Sequence, residues 1–343
     1  MVNNEKREAY ILKGTFALCF VVLTALCFVL FWPQKNLHNP TQLKIRSGIP
    51  LSELAQQMKN DSLISNKRTF ILTVQLLGKS RSIPAGSFTL NNASNNYAII
   101  SQLINGSPEL KKITFIEGWN TNQFINHMIN TLGFEKKEIK SLIDNNDLLR
   151  KYNINYQSME GYLYPDTYLI SSGVTPEYIV NLLLNQGQKF WTKIREDRAS
   201  SLGFTKHQII TLASIIEGEA IYDIERPIIS GVYHNRLKIN MKLQADPTVQ
   251  YIINDGPRRL LNRDLKIESP FNTYLYQGLP PGPINSPGEK SLLAALYPQD
   301  NDFLFFVAKG DGYHTFTKTE KEHLREKKKF QKIRKALKRN KKK

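Results

Sequence analysis

Cysteine is nearly missing from this chain of 343 residues: there are two, Cys19 and Cys27, both inside one apolar run near the amino terminus. The remainder therefore carries no disulfide framework, no thiolate metal site and no thiol nucleophile. Histidine is sparse too. The six, at His38, His127, His207, His234, His314 and His323, show no ligand spacing, so a metal site is not expected. There is no P-loop, no dinucleotide fingerprint, no HExxH and no nucleophile elbow. A chain without these devices is expected to work without a cofactor.

Acidic residues are also in short supply, 30 against 47 Lys and Arg, for a net charge of +17. Most of the excess is local. Residues Lys318 to Lys343 hold 14 Lys/Arg against 3 Asp/Glu, a surplus of 11, so the rest of the chain is only mildly basic. Such a tail can meet a polyanion, or it can be a solvated and partly helical extension. Hydrophobic content of 41% and aromatic content of 10% suffice for real cores.

Thr15 to Trp32 is an uncharged 18-residue run, extended by Ile11 and Leu12 past Lys13. About 20 apolar residues span a bilayer, so this is read as a transmembrane helix. It ends in bulky Phe31-Trp32-Pro33, not in the small residues a signal peptidase needs, and each cysteine follows a leucine, unlike a lipid-attachment site. Lys6, Arg7 and Lys13 before the run nearly balance Lys35, Lys44 and Arg46 after it, so charge alone does not orient it.

The expected organisation is a short cytoplasmic tail (1–14), the transmembrane helix (15–32), a linker (33–43), a small α/β subdomain (44–110), a catalytic domain (111–317) and the basic tail (318–343). The fold class is α+β. Two stretches 70 residues apart resemble each other, Ile45 to Met58 and Phe115 to Met128: a short strand, a glycine turn at Gly48 or Gly118, a polar cap (Ser52, or Thr121/Asn122) and an amphipathic helix. The first resembles the sugar-binding LysM module; two packing units without sugar contact fit the same pattern. Helical periodicity marks Asn96–Asn105, Lys136–Leu149, Pro176–Ala199, Thr205–Ala220 and a helix opened by Ser286 to Lys290. Phe303–Ala308 and Tyr313–Thr317 read as a hairpin.

Carboxylates, amides, aromatics and prolines concentrate between Glu160 and Phe316. Glu217 stands near the end of an apolar helix, where lost hydration and the helix carboxyl terminus both favour a carboxyl that holds its proton. A general acid needs this property. A helix ending in solvent is the other reading. Glu219 is about 200° further round the helix, so the two cannot face one site as a pair.

Glu160-Gly-Tyr-Leu-Tyr-Pro-Asp-Thr-Tyr168, Leu212-Ala-Ser-Ile-Ile-Glu217-Gly-Glu219, His234-Asn-Arg-Leu237, Leu243-Gln-Ala-Asp-Pro-Thr-Val249, Ser269-Pro-Phe-Asn-Thr-Tyr274 and Gly278-Leu-Pro-Pro-Gly-Pro-Ile-Asn-Ser-Pro-Gly288 occur in this order. Together they resemble the endolytic murein transglycosylases, the YceG-like family. The resemblance implies cleavage of the β-1,4 bond between N-acetylmuramic acid and N-acetylglucosamine in nascent strands, leaving a 1,6-anhydro end and stopping elongation. It implies Glu217 as the catalytic acid. Related sequences often have a Lys and a Thr around the second Glu where this chain has Gly218 and Ala220, which leaves Glu219 without an assigned role.

Tyr164, Asp166, Gln244, Asp246, Asn272 and Tyr274 are candidates to line a sugar cleft, although Asp166 and Asp246 also suit turns and caps. Asn235-Arg236 is expected on a helix surface, and Tyr313, His314 and Phe316 are candidates to approach the site from the last hairpin. The resemblance further implies an inner-membrane protein with a periplasmic catalytic domain, glycan strands as substrate and penicillin-binding proteins as partners. Nucleic acid is not expected. The competing function is a non-catalytic, membrane-anchored peptidoglycan-binding scaffold. A small-molecule lyase would need a phosphate cradle that the sequence lacks.

Overall fold

The computed structural model describes residues 2–33, 40–91, 94–253, 256 and 258–340. Lys35 and His38 of the linker, and Lys341 to Lys343 of the tail, lie outside them. The structure is mixed α and β and divides into two units, Met1–Ile113 with Tyr168–Thr175, and Thr114–Thr167 with Pro176–Lys343.

The first unit opens with α1 (Val2–Leu30). Within it Leu12–Leu30 is 19 residues long with mean hydropathy 2.2 and no buried part, so it is long and apolar enough to cross a membrane. Its final turn is held. The Thr73 hydroxyl and the Asn96 amide both donate to the Val29 carbonyl, at 3.0 and 3.4 Å, satisfying an acceptor that a helix end leaves open.

The unit continues with β1 (Thr41–Ile45), α2 (Leu51–Asn60), α3 (Lys67–Leu76), β2 (Gly86–Leu90), α4 (Asn96–Asn105) and β3 (Leu110–Thr114). Strand β1 pairs antiparallel with β2, Leu43 opposite Phe88. Alternation along the pleat turns Leu43, Ile45, Phe88 and Leu90 to one face, where they meet Leu54, Met58, Phe70, Val74, Ile99 and Leu103 from the helices. The cap of α2 is not Ser52. The helix starts two residues earlier than that cap would allow, behind Pro50, whose fixed φ suits the entry but which offers no side-chain acceptor. Strand β3 pairs with β4 (Thr167–Ser171).

The second unit contains α5 (Thr121–Leu132), α6 (Lys136–Ile143), α7 (Asn146–Lys151), α8 (Pro176–Phe190), α9 (Lys193–Ser201), α10 (Lys206–Glu219), α11 (Arg226–Lys238), α12 (Asp246–Ile252) and α13 (Glu289–Leu296). It ends with the hairpin β5 (Phe305–Ala308) and β6 (His314–Thr317), then α14 (Glu320–Asn340). Two expected long helices are each broken in two. Asn145 turns back to accept from the Asp147 and Leu148 amides, and Thr192 from the Arg195 amide. Asn and Thr side chains favour such caps over helix interiors, so each starts a new helix.

Helix α10 is the axis of this unit. Thr205 and Gln208 form a reciprocal capping box at its start. The sequence pattern suggests an apolar stripe, but every residue from Ile209 to Ile216 is buried. A helix covered on all sides is central rather than superficial, and α9, α11, α12 and α13 all pack on α10. The hairpin is fastened by the pair expected on a helix surface. Asn235 donates to the carbonyls of Asn301 and Phe303, and the buried Arg236 to those of Leu304 and Leu243, so both point inward.

Helix α5 begins in an Asn120–Gln123 capping box, one residue before the expected caps. Its first amide, Thr121 N–H, is also taken by both oxygens of Glu160, at 3.0 and 3.2 Å. Burial pushes the Glu160 carboxyl up to about 7 from about 4.5, against the lowering by Thr121. The folded chain thus binds a proton that the unfolded chain has already released between these values. This contribution favours folding fully below pH 4.5 and is lost as pH rises through 7. Glu160→Gln, neutral throughout, is expected to gain about 2 kcal/mol relative to the parent between pH 5 and pH 8. Urea unfolding at the two pH values measures it, and a pH-independent difference would contradict the assignment.

Candidate active site

The carboxyl end of α10 meets the amino end of α13, and the loop before α13 is stitched to α10 by backbone-directed bonds. The Ile284 amide donates to the Ser214 hydroxyl at 3.1 Å, and the Asn285 side chain donates to the Ser214 carbonyl at 2.8 Å. A second segment is drawn in at the same place. Gly118 N–H donates to the Ser286 carbonyl at 2.9 Å and Ser286 N–H to the Trp119 carbonyl at 2.8 Å. This double exchange brings Glu117 and Gly118, at the start of the second repeat, beside the last turn of α10.

Glu217 occupies the junction. Its side chain is 7% exposed, as is that of Arg226, whose Nη2 stands 3.2 Å from Glu217 Oε1. The other oxygen accepts the Gly288 amide at 3.0 Å, so the carboxylate also sits at the amino end of α13. Arg226 is held in turn by Asp223 at 3.0 Å and by the Ser291 hydroxyl. Lys290 closes on Asp223 from α13, and these two cations hold the Asp223 carboxyl below its usual range, Lys290 more than Arg226. The sequence set Glu217 beside an apolar stripe; the structure sets it in an ion-pair network.

Glu117 is a second carboxylate here. A Cβ on Gly288 would lie 2.1 Å from its carboxyl, and a Cβ on Gly118 would lie 3.6 Å from Glu217 Cγ. Glycine at 288 thus lets Glu117 close on the same residue whose amide binds Glu217. The residue as a whole is open to solvent, but partial burial of its carboxyl first, and the Glu217 charge second, push its proton affinity up.

Glu219 faces another group. It accepts from the Tyr233 hydroxyl at 2.9 Å and is pushed up to about 7, by burial first and Asp246 among the lesser causes. Between the two carboxylates Gly218 meets α12, where an added Cβ would lie 2.6 Å from Pro247.

The candidates named from sequence divide between these places. Asp246 accepts from the Tyr274 hydroxyl at 2.6 Å; its charge raises the proton affinity of Glu219, and Asp246 and Glu219 both raise that of Tyr274. Gln244 is exposed beside them at φ +48°, its amide bound to the Thr273 carbonyl. Asn272 is fully buried: its amide group donates to Leu265 and Ile267, and its oxygen accepts from Tyr274 N–H, so it fastens the loop. Tyr164 stands on the Glu117 side, its phenol pushed up to about 12 by burial and by Glu289, Asp166 and Glu117. Asp166 is exposed and accepts from Thr167 N–H. The last hairpin reaches the segment before α11, where Tyr313 stacks on Tyr222 at 4.1 Å and His314 binds Glu225 at 2.8 Å.

Sequence reasoning missed Glu117, Arg226 and Lys290. Glu117 was visible only as part of a repeat, and a lone Arg before Pro227 carries no periodic signal. A cleft of about 810 Å³ lies along the other end of α10, between Phe204, His207, His234 and Leu279, and includes neither Glu117 nor Glu217. Its volume makes it a ligand-sized space, but its histidines are already bonded, His207 to Tyr162 and Pro281, His234 to Ala295. The carboxylate junction is chemically the stronger candidate. Among the described residues no group of His, Cys, Asp and Glu is arranged to hold a metal ion.

The model of the YceG-like family matches residues 43–329. The chain is 33% identical over 315 residues to the endolytic murein transglycosylase of Bacillus subtilis (strain 168), covering 87% of this chain and 86% of that protein. It is 32% identical over 159 residues to the endolytic murein transglycosylase of Streptococcus pneumoniae strain D39, covering 44% of this chain and 28% of that protein. The crystal structure of a yceG-like protein from Listeria monocytogenes aligns with TM-score 0.58 at 29% identity, covering 84% of this chain and 99% of that one.

Removing one partner of a buried ion pair leaves the other charge stranded, at a cost of about 3 kcal/mol or more. Arg226→Met is expected to lower the unfolding free energy by that amount at neutral pH. Adding Glu217→Gln should recover more than half of the loss. Additive losses in this double-mutant cycle, measured by chemical denaturation, would mean that the two side chains are not energetically coupled.

Proposed function

Because the chain belongs to the YceG-like family, we propose that it is a peptidoglycan lytic transglycosylase whose reaction is carried by Glu217. The observation behind this reading is a glutamate withdrawn from water at the meeting of two helix ends and held on both oxygens. Carboxylates fixed in this way are suited to proton transfer at a defined atom.

Ordinary glycosidases use two carboxylates, one to protonate the leaving oxygen and one to activate water or attack the sugar. Here the muramic acid supplies its own nucleophile. Glu217 gives its proton to the glycosidic oxygen as the bond from that oxygen to C1 breaks. The C6 hydroxyl then bonds to C1 and its proton returns to Glu217. One bond is exchanged for another, no water is consumed, and the product ends in 1,6-anhydro-N-acetylmuramic acid. Cuts within nascent strands would end their elongation. Tyr164 and Asp166 on the Glu117 side, and Gln244, Asp246 and Tyr274 near Glu219, are the proposed glycan contacts. Asn272 would serve them by fixing the loop that carries Tyr274.

Helix α1 is proposed as a single-pass inner-membrane anchor with the catalytic domain in the periplasm, beside the penicillin-binding proteins that polymerise glycan. Its length and hydropathy support the anchor; the family supports the orientation. The first unit, with its β1-α2-α3-β2 order and antiparallel pairing, is proposed as a LysM-like sugar grip.

Mass spectrometry of muropeptides released from uncross-linked glycan by the full chain in detergent tests the mechanism. Anhydro-ended products are expected, one water lighter than hydrolysed ones, with a loss of at least roughly a thousandfold in Glu217→Gln. Hydrolysed ends would point to a conventional glycosidase. A fully active Glu217→Gln would remove Glu217 from the chemistry, and no release by either protein would favour a binding scaffold.

A further inference from the structure

The proposed mechanism asks Glu217 to begin each cycle with a proton, yet the structure pairs it with a guanidinium. What could supply that proton is visible in the rest of the cluster. Three carboxylates, Glu117, Glu217 and Asp223, are set among two cations, Arg226 and Lys290. One negative charge is left unbalanced, and one proton neutralises it. Asp223 does not take that proton, because both cations bind it directly and hold its carboxyl down. Glu117 and Glu217 remain, both at Gly288: Glu217 accepts its amide, and the Glu117 carboxyl fills the space that a Cβ there would take.

We propose that Glu117 and Glu217 form a carboxylate pair that holds a single proton between them, with Glu117 acting through Glu217 rather than on the sugar. This rests on the reading of Glu217 as the acid. Two neighbouring carboxylates resist ionising together, so the first proton is held more tightly than by either alone. Arg226, 3.2 Å from Glu217, opposes this. Glu117 offsets it with a negative charge of its own, and its proton affinity is raised by burial and by Glu217. The groups facing Glu117 are Glu217 from α10, Asp223 and Arg226 at the start of α11, Lys290 from α13, and Tyr164 before β4. Being open to solvent, Glu117 can exchange its proton with water, whereas the Glu217 side chain is almost wholly covered. Glu117 is thus the positioning residue through which the pair regains the proton when it is lost.

The pH dependence of kcat for anhydro-product release decides the matter, with the full chain and its Glu117→Gln, Glu117→Asp and Gly288→Ala variants. Glu117→Gln keeps the shape and removes the charge. Its basic limb is expected about one pH unit lower, giving roughly a tenfold loss at neutral pH that lower pH restores. Glu117→Asp, which keeps the charge, should retain most of the parent's profile. Gly288→Ala, whose Cβ would displace the end of the flexible Glu117 side chain, should move the limb in the same direction as Glu117→Gln. An unmoved limb in Glu117→Gln would make Glu117 a structural contact. Loss at every pH in a folded Glu117→Gln would make it act on the substrate itself. Either outcome overturns the pair.

Carbon-13 NMR titration of the glutamate carboxyls gives a readout that does not require cleavage. Coupled titration of the two carboxyls is expected in the parent, and a single uncoupled Glu217 transition in Glu117→Gln. Independent titration in the parent would also overturn the proposal. If the parent released no anhydro product while the coupling was present, the enzymatic reading would fall and the carboxylate pair would stand.

Discussion

Two ionic side chains taken almost wholly out of water, Glu217 and Arg226, set the terms for everything around them. Desolvating each costs several kcal/mol, and their mutual attraction offsets this only if the remaining hydrogen-bonding positions are filled. The structure fills them. Gly288 N–H takes the second oxygen of Glu217, while Asp223 and Ser291 take the rest of the guanidinium. Gly288 and Ser291 come from the start of α13 and Asp223 from the turn before α11, so the pair is complete only when α10, α11 and α13 have come together.

That requirement explains the proline- and glycine-rich loop before α13. It carries no reacting group, but it must pass close to the last two turns of α10 and deliver Gly288 to Glu217. Ser214, buried in α10, accepts the Ile284 amide and offers its carbonyl to Asn285. Ser286 exchanges bonds with Gly118 and Trp119. One loop thereby aligns three segments, and the absence of a side chain at 288 leaves room for the second carboxylate.

The two glutamates of α10 illustrate how geometry separates similar groups. They lie two residues apart, on different sides of the helix. Glu217 meets a guanidinium and a helix amino terminus; Glu219 accepts from the Tyr233 hydroxyl and lies in the field of Asp246 and Arg236. Identical chemistry in the sequence thus becomes two environments, one ionic and one a half-covered polar network. In the first unit the same economy holds at the end of α1, where one carbonyl is shared by Thr73 and Asn96.

Local order was legible in the sequence. The apolar run became a helix long enough to span a membrane, and Thr205 caps α10, because spacing and capping act over a few residues. The sequence also singled out Glu217. It could not reveal what that carboxylate would face. Glu117 is 100 residues away and Gly288 is 71, and no periodicity links them. Asn272 looked like a sugar contact and is a loop fastener; Arg236 looked like a surface residue and is buried, because the groups that bind them lie on other elements. Residue type and spacing determined the helices, the long apolar run and the acid to suspect. Only tertiary folding decided which charges that acid would meet, since electrostatic partners are set by distance in space and not by distance along the chain.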